Sequence, residues 1–181
     1  MMISLRSKVI QKVLRYFFLN EDADIYLSEL AGIIGEDVAN VHKILVKLEK
    51  EGLLNSSYRG KERFFLLNRR YPLLSAYREI FSQKFGLPEL LKSILRNIKG
   101  ISKAFIYGSF VDGQFDEFSD IDIVIIGSIT RKFILSKFTK LEKELGRELN
   151  FILYTSEEYH QEQEKDPFLK NILSNKTIDL V

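Results

Sequence analysis

The sequence predicts an α/β chain in two parts, and three observations predict it. Over its first 83 residues, apolar side chains recur at helical spacing, interrupted by one stretch that reads as a β-hairpin. A Gly86-Leu87-Pro88 break follows, which neither a helix nor a strand carries through easily. Beyond it, short apolar runs such as Ile121 to Ile126 alternate with helical stretches, the pattern of buried strands with helices packed on them. The predicted domains are therefore residues 1–85, ending in a linker helix, and residues 86–181, ending in a C-terminal helix.

The elements of the first part come in order. Val9, Ile10, Val13, Leu14, Phe17 and Phe18 give residues 5–19 one buried helical face. Asn20 to Asp24 is a polar break. Tyr26 to Ile34 reads as a short second helix, stopped by Gly35. Residues 37–51 form a third helix with Val38, Val41, Ile44, Leu45 and Leu48 inward, stopped by Gly52. Leu53-Leu54 and Phe64 to Leu67 read as strands joined by a turn at Arg59-Gly60-Lys61. Residues 72–83 resume helical spacing after Pro72.

In the second part, Leu90 to Ile98 is helical and Ser102 to Tyr107 is a strand. Ile121 to Ile126 is a fully buried strand, Arg131 to Leu145 a helix, and Glu148 to Tyr154 another strand. The polar stretch Ser156 to Asn175 is predicted to be helical.

Composition narrows the chemistry. Of 181 residues, 45% are hydrophobic and 29% charged, as in ordinary globular chains. With no cysteine, disulfides and thiolate metal sites are excluded, and with only His42 and His160 a zinc site is not expected. No apolar run is long enough to span a bilayer and no signal-peptide core is visible, so a cytoplasmic protein without a membrane partner is expected. Residues 1–85 hold 14 Lys and Arg against 10 Asp and Glu; residues 86–181 hold 13 against 15. A basic first part suits a polyanion, and an acidic second part suits a cation.

Two constellations carry specific chemistry. In the first, Leu27-Ser28-Glu29-Leu30-Ala31, Gly35, Val41-His42-Lys43-Ile44-Leu45 and Leu48-Glu49-Lys50-Glu51-Gly52-Leu53-Leu54 precede a basic hairpin. Residues 5–70 thereby resemble a winged helix-turn-helix DNA-binding domain, an α+β fold. Asn40, Lys43 and Lys47 share the face of the third helix opposite its apolar stripe, where they could meet a major groove. Arg59, Lys61 and Arg63 lie at the hairpin tip, placed for phosphate contacts. Glu36 and Asp37 suit the helix dipole but would repel nearby phosphates. Double-stranded DNA is the expected partner, bound by a homodimer, because one such module binds weakly.

In the second constellation, Ile106-Tyr107-Gly108-Ser109-Phe110 ends a strand in a turn, and Ser119-Asp120-Ile121-Asp122 enters the next strand. Asp120 and Asp122 are two apart, so on a strand they share a face. Two carboxylates on one face repel unless a cation lies between them, and Mg²⁺ suits such hard oxygen ligands. The pattern G-S-x(10)-D-x-D resembles the minimal nucleotidyltransferases of the DNA polymerase beta-like superfamily over residues 88–160. The resemblance implies an α/β domain with a mixed sheet. It implies that Gly108 and Ser109 hold a nucleoside triphosphate, and that Asp120 and Asp122 are the metal ligands and catalytic residues. Arg131 and Lys132 are candidates for a phosphate contact or a solvated helix end.

The family pattern is not met everywhere. A third carboxylate is expected on the later strand, where this chain has Asn150, an amide that cannot take a proton. Glu148 is a candidate substitute. Asp112 adds negative charge where triphosphate would bind. Two functions follow from the resemblance: an Mg²⁺-dependent transferase of nucleoside monophosphate, with a partner toxin protein among its acceptors, or a transcriptional regulator whose inactive transferase domain senses a ligand or dimerises.

Overall fold

The computed structural model describes residues 4–116 and 118–181. The chain divides into two compact units, Met1–Gly86 with Lys143–Gly146 and Leu87–Glu142 with Arg147–Val181.

The first unit contains α1 (Lys8–Leu19), β1 (Asp24–Tyr26), α2 (Leu27–Ile34), α3 (Val38–Lys50), β2 (Leu54–Arg59), β3 (Glu62–Leu67) and α4 (Leu74–Phe85). Much of its core is the set the spacing predicted: Ile10, Val13, Leu14 and Phe17 of α1, Leu30 and Ile34 of α2, and Val41, Leu45 and Leu48 of α3 are buried. Each such side chain contributes roughly 1.5–3 kcal/mol by leaving water. Val9, Phe18 and Ile44 are only partly buried, and Val38, predicted inward, is exposed in the first turn of α3. Asp37 caps α3 by accepting the Asn40 backbone N–H at 3.1 Å, so this acidic residue is committed to the helix end. Tyr77 and Phe81 of α4 join the same core, and Phe81 meets Phe18 edge-to-face at 5.4 Å.

The hairpin is tight. Arg59 pairs with Glu62 across Gly60-Lys61, and Gly60 has φ +62°, which glycine adopts without penalty. The three strands are antiparallel in the order β1-β3-β2. β1 was not expected: its residues read as a polar break and the start of a helix. A three-residue strand has no sequence period to show, and it is defined by its pairing of Asp24, Ile25 and Tyr26 with Leu66, Phe65 and Phe64. The helix begins one residue later than predicted, at Leu27.

The second unit contains α5 (Leu87–Leu95), β4 (Ile101–Tyr107), α6 (Ser109–Asp112), β5 (Ile121–Gly127), α7 (Arg131–Leu145), β6 (Leu149–Tyr154), α8 (Ser156–Glu162), α9 (Pro167–Ser174) and β7 (Ile178–Asp179). α7 runs to Leu145, although its last residues fall in the first unit. The sheet is mixed, as predicted, with the order β6-β5-β4-β7. β4 runs antiparallel to β5 and β7, while β6 is parallel to β5. A parallel neighbour needs a crossover, and α7 provides it. One sheet face is sealed by Phe105, Val124 and Ile126 against Tyr159, Leu169 and Ile172 of α8 and α9. On β6, Phe151 meets Phe138 of α7 edge-to-face at 5.4 Å.

The predicted helix over Ser156 to Asn175 is two helices. Asp166 accepts the Phe168 backbone N–H and Pro167 opens the second helix, a cap-and-proline start that ends any continuation. β7 was not expected; two residues carry no pattern, and only pairing with Phe105 and Ile106 makes them a strand. Among the described residues no helix is long and apolar enough to cross a membrane.

Candidate active site

The site is assembled where β4 ends and β5 begins. Because β4 and β5 are antiparallel, Tyr107 lies opposite Asp122. Because β6 is parallel to β5, Asn150 lies beside Asp122 on the other side. Neighbours in register share a face, so Tyr107, Asp122 and Asn150 form a row across three strands. Asp120 precedes β5, and the Asn150 amide donates to its Oδ2 at 2.9 Å. The structure therefore brings Asp120 and Asp122 together, with an amide alongside.

Gly108 follows β4 directly, with φ +75° and ψ −153°. A Cβ at that position would stand 3.0 Å from Asp122 Oδ2. The backbone conformation thus favours glycine there, and a Cβ would crowd the Asp122 carboxylate. Ser109 opens α6, a single turn held by Val111 and Asp112 N–H groups donating to the Gly108 carbonyl at 2.9 and 3.1 Å. Gly108, Ser109 and Asp122 are gathered in one corner, and Asp112 sits exposed at the end of that turn.

The electrostatics show two crowded carboxylates. Burial pushes the Asp122 carboxyl up, the Asp120 charge adds to this, and a hydrogen bond from Asn150 opposes it. Asp122 is strained by its neighbour's charge, which a cation would relieve. Two partly exposed carboxylates at the start of β5 are hard oxygen donors of the kind Mg²⁺ takes. Among the described residues no three His, Cys, Asp or Glu side chains converge as a metal group. Glu148, the candidate substitute, is exposed and does not complete such a trio. Tyr107 is pushed up to about 12, first by burial and then by the Asp122 and Tyr154 charges. Its hydroxyl stays protonated at neutral pH and is no base.

Arg147 is the residue that sequence reasoning missed. It is only 7% exposed, which is rare for arginine. Its Nη1 donates to the Asp116 carbonyl at 2.8 Å and to the Ser119 carbonyl at 3.3 Å. Its guanidinium lies 4.9 Å over the Phe115 ring, and Phe115 meets Phe110 of α6 at 5.2 Å. Asp116 reinforces the same loop by accepting from Ser119 Oγ at 2.7 Å and the Phe118 N–H at 3.0 Å. Those bonds, the serine's first, hold its carboxyl below the usual range. Arg147 thus fixes the segment that delivers Asp120. A lone arginine before a predicted strand gives no sequence signal of burial. Arg147→Met is expected to cost about 3 kcal/mol, the scale of charge-assisted hydrogen bonds lost to buried acceptors. Urea unfolding followed by circular dichroism measures this, and an unchanged midpoint would refute it.

Arg131 stacks over Phe151 at 4.7 Å. Phe151 neighbours Asn150 on β6 and so faces the opposite side of the sheet. The Arg131 guanidinium thus stacks on a ring of the sheet face opposite Asn150.

In the first unit, Asn40 and Lys43 are exposed on α3 and Lys47 is partly exposed. Lys61 is exposed at the hairpin tip. Both tip arginines have partners within the unit. Arg59 pairs with Asp24 and stacks over Phe64 at 4.5 Å. Arg63 grips Glu49 at 2.6 Å, donates to Ser56 Oγ at 3.0 Å and lies 5.1 Å over Phe65. The Ser56 hydrogen bond, and then Arg63, hold Glu49 below the usual carboxylate range. Ser28, His42 and Tyr58 join Lys61 and Arg63 around a cleft of about 290 Å³ between α3, α2 and the hairpin. Nothing in their sequence spacing marked these three as neighbours.

Comparison with known proteins agrees with the second unit. Residues 89–178 match the family model "Polymerase beta, Nucleotidyltransferase". A Methanocaldococcus jannaschii protein named "putative protein adenylyltransferase" is 29% identical over 93 residues, which are 51% of this chain and 92% of that protein. A Sulfolobus solfataricus crystal structure described as a "putative nucleotidyltransferase" aligns with 41% of this chain and 68% of its own, at 17% identity and a TM-score of 0.28. Residues 89–178 are thus similar in sequence to polymerase beta-type nucleotidyltransferases.

Proposed function

We propose that this domain binds a nucleoside triphosphate with Mg²⁺ and transfers its nucleoside monophosphate to an acceptor hydroxyl. The observation that carries this reading is the meeting of Asp120, Asp122 and the Gly108 turn where β4 ends and β5 begins. Asp120 and Asp122 would hold the ion, whose contribution is charge stabilisation at the phosphates. Gly108 and Ser109 lie where the phosphate chain can approach backbone closely. In the transfer, the acceptor oxygen bonds to the α-phosphorus, the bond to pyrophosphate breaks, and the hydroxyl proton passes to water. The name of the archaeal relative supports ATP as donor and a protein as acceptor.

Asn150 favours a second reading: a domain that binds nucleotide without transferring it. Its amide occupies the register position next to Asp122, where a carboxylate would complete a three-carboxylate set, and it cannot accept a proton. Incubation with α-labelled ATP, CTP, GTP and UTP, Mg²⁺ and cell extract separates the two. A labelled product lost in Asp120→Ala establishes transfer. Nucleotide binding without any labelled product supports the second reading. Absence of calorimetric binding by any of the four sinks both.

We also propose that residues 1–85 form a winged helix that binds double-stranded DNA as a homodimer. The order helix, strand, helix, helix, hairpin supports this, with β1 closing the sheet on β3. Asn40, Lys43 and Lys47 of α3 and Lys61 of the hairpin would make the contacts, while Arg59 and Arg63 brace the hairpin through Asp24 and Glu49. Lys43→Ala and Lys61→Ala are each expected to reduce the salt slope of duplex binding by about 1. Filter binding across a salt series reads this, and unchanged slopes exclude both contacts.

A further inference from the structure

Tyr107 ends β4 opposite Asp122, on the face that also carries Asn150. Its ring meets Phe168 of α9 edge-to-face at 6.2 Å. Phe168 is firmly placed: the Asp166 carboxylate accepts its backbone N–H at 2.9 Å, and Pro167 fixes the residue before it. Leu169 and Ile172 anchor the same helix in the core beneath. Despite this anchoring, Phe168 is 48% exposed. An aromatic ring thus packs on Tyr107, the register partner of Asp122, and stays half open to water. Folding gains little from a ring left half in water.

We propose that Phe168, backed by Tyr107, is the surface on which the base of the bound nucleotide stacks. This rests on the nucleotide-binding reading above. With phosphates at Gly108 and Ser109 and the α-phosphate at the aspartates, the sugar and base leave the carboxylates along the Asp122 face. Tyr107 is the neighbour of Asp122 on that face, and the Phe168 ring meets Tyr107. A phenylalanine offers a π-face and no hydrogen-bonding group, so it holds any base and reads none. All four nucleotides are therefore expected to bind with similar affinity at this position.

The test uses the full chain, which contains no tryptophan. Phe168→Ala is expected to weaken ATP, CTP, GTP and UTP about tenfold each in calorimetry with Mg²⁺, as loss of one stacked base does. Its affinity for Mg²⁺ alone is expected to stay the same. Phe168→Trp is expected to retain nucleotide affinity, and its single tryptophan emission to be quenched saturably by nucleotide. Unchanged nucleotide affinity in Phe168→Ala, together with tryptophan emission that ignores a nucleotide seen to bind in calorimetry, overturns the proposal and points to a protein acceptor on this ring. A wild-type chain that binds no nucleotide removes the underlying reading, and this one with it. Should Phe168→Ala unfold, Phe168→Leu and the tryptophan variant decide.

Discussion

Asp122→Asn is expected to abolish Mg²⁺ binding and, in the metal-free protein at neutral pH, to raise the melting temperature by a few degrees. The two effects have one cause. Asp122 titrates above its ordinary value because burial and the Asp120 charge disfavour its ionised form. A carboxyl raised in the folded state stabilises the fold while it is protonated, below its unfolded value. That contribution is lost as pH rises through the folded value. At neutral pH the residue is therefore a burden that the ion would offset. The amide has the same shape, fits under Gly108, carries no charge and removes the repulsion. The expected gain vanishes in acid, where the wild-type carboxyl is protonated as well. Calorimetric titration and thermal scans at neutral and acid pH measure both arms. Unaltered Mg²⁺ affinity would remove Asp122 from the metal site, and a lower melting temperature at neutral pH would show that the Asp120 repulsion does not dominate there.

Asn150→Asp is the other substitution with a large expected effect. It places a third carboxylate next to Asp122 and removes the amide that donates to Asp120 Oδ2. Without metal, three crowded carboxylates should lower the melting temperature. With Mg²⁺ that loss should reverse and affinity should rise. The new carboxylate can also take the acceptor proton, a role of general bases contributing about a hundredfold or more. Label transfer from α-labelled nucleotides is expected to increase on that scale. If the variant binds Mg²⁺ no better and transfer stays level or falls, Asn150 is itself a working part of the site.

Much of the fold was legible in the sequence because its signal is local. The apolar spacing of α1 and α3 and the run Ile121 to Ile126 place those elements to within a few residues. Gly86-Leu87-Pro88 marks the start of α5, where the division into two units also falls. The short strands β1 and β7 were not legible, because each exists only through its partner. The same division runs through the site. Gly108, Ser109, Asp120 and Asp122 stand out by spacing along the chain, and alternation along a strand places the two aspartates on one face. Arg147 carries no such mark, since its burial depends on a loop some thirty residues earlier. Phe168 is invisible for the same reason: its neighbour Tyr107 is distant in sequence. At the hairpin, Arg59 and Arg63 read as phosphate contacts, and only the folded chain shows Asp24 and Glu49 paired with them.

The sequence by itself determined the helices of the first unit, the buried strand β5 and the spacing of two aspartates behind a Gly-Ser turn. All of these follow from periodicity and from groups close together along the chain. Only the tertiary structure decided that Asn150 lies in register with Asp122 and bonds to Asp120, that Glu148 completes no carboxylate trio, and that Arg147 fixes the loop between turn and strand. Register between strands, and the burial of a charge, depend on partners distant in sequence. Their energies are set by packing that no local pattern encodes.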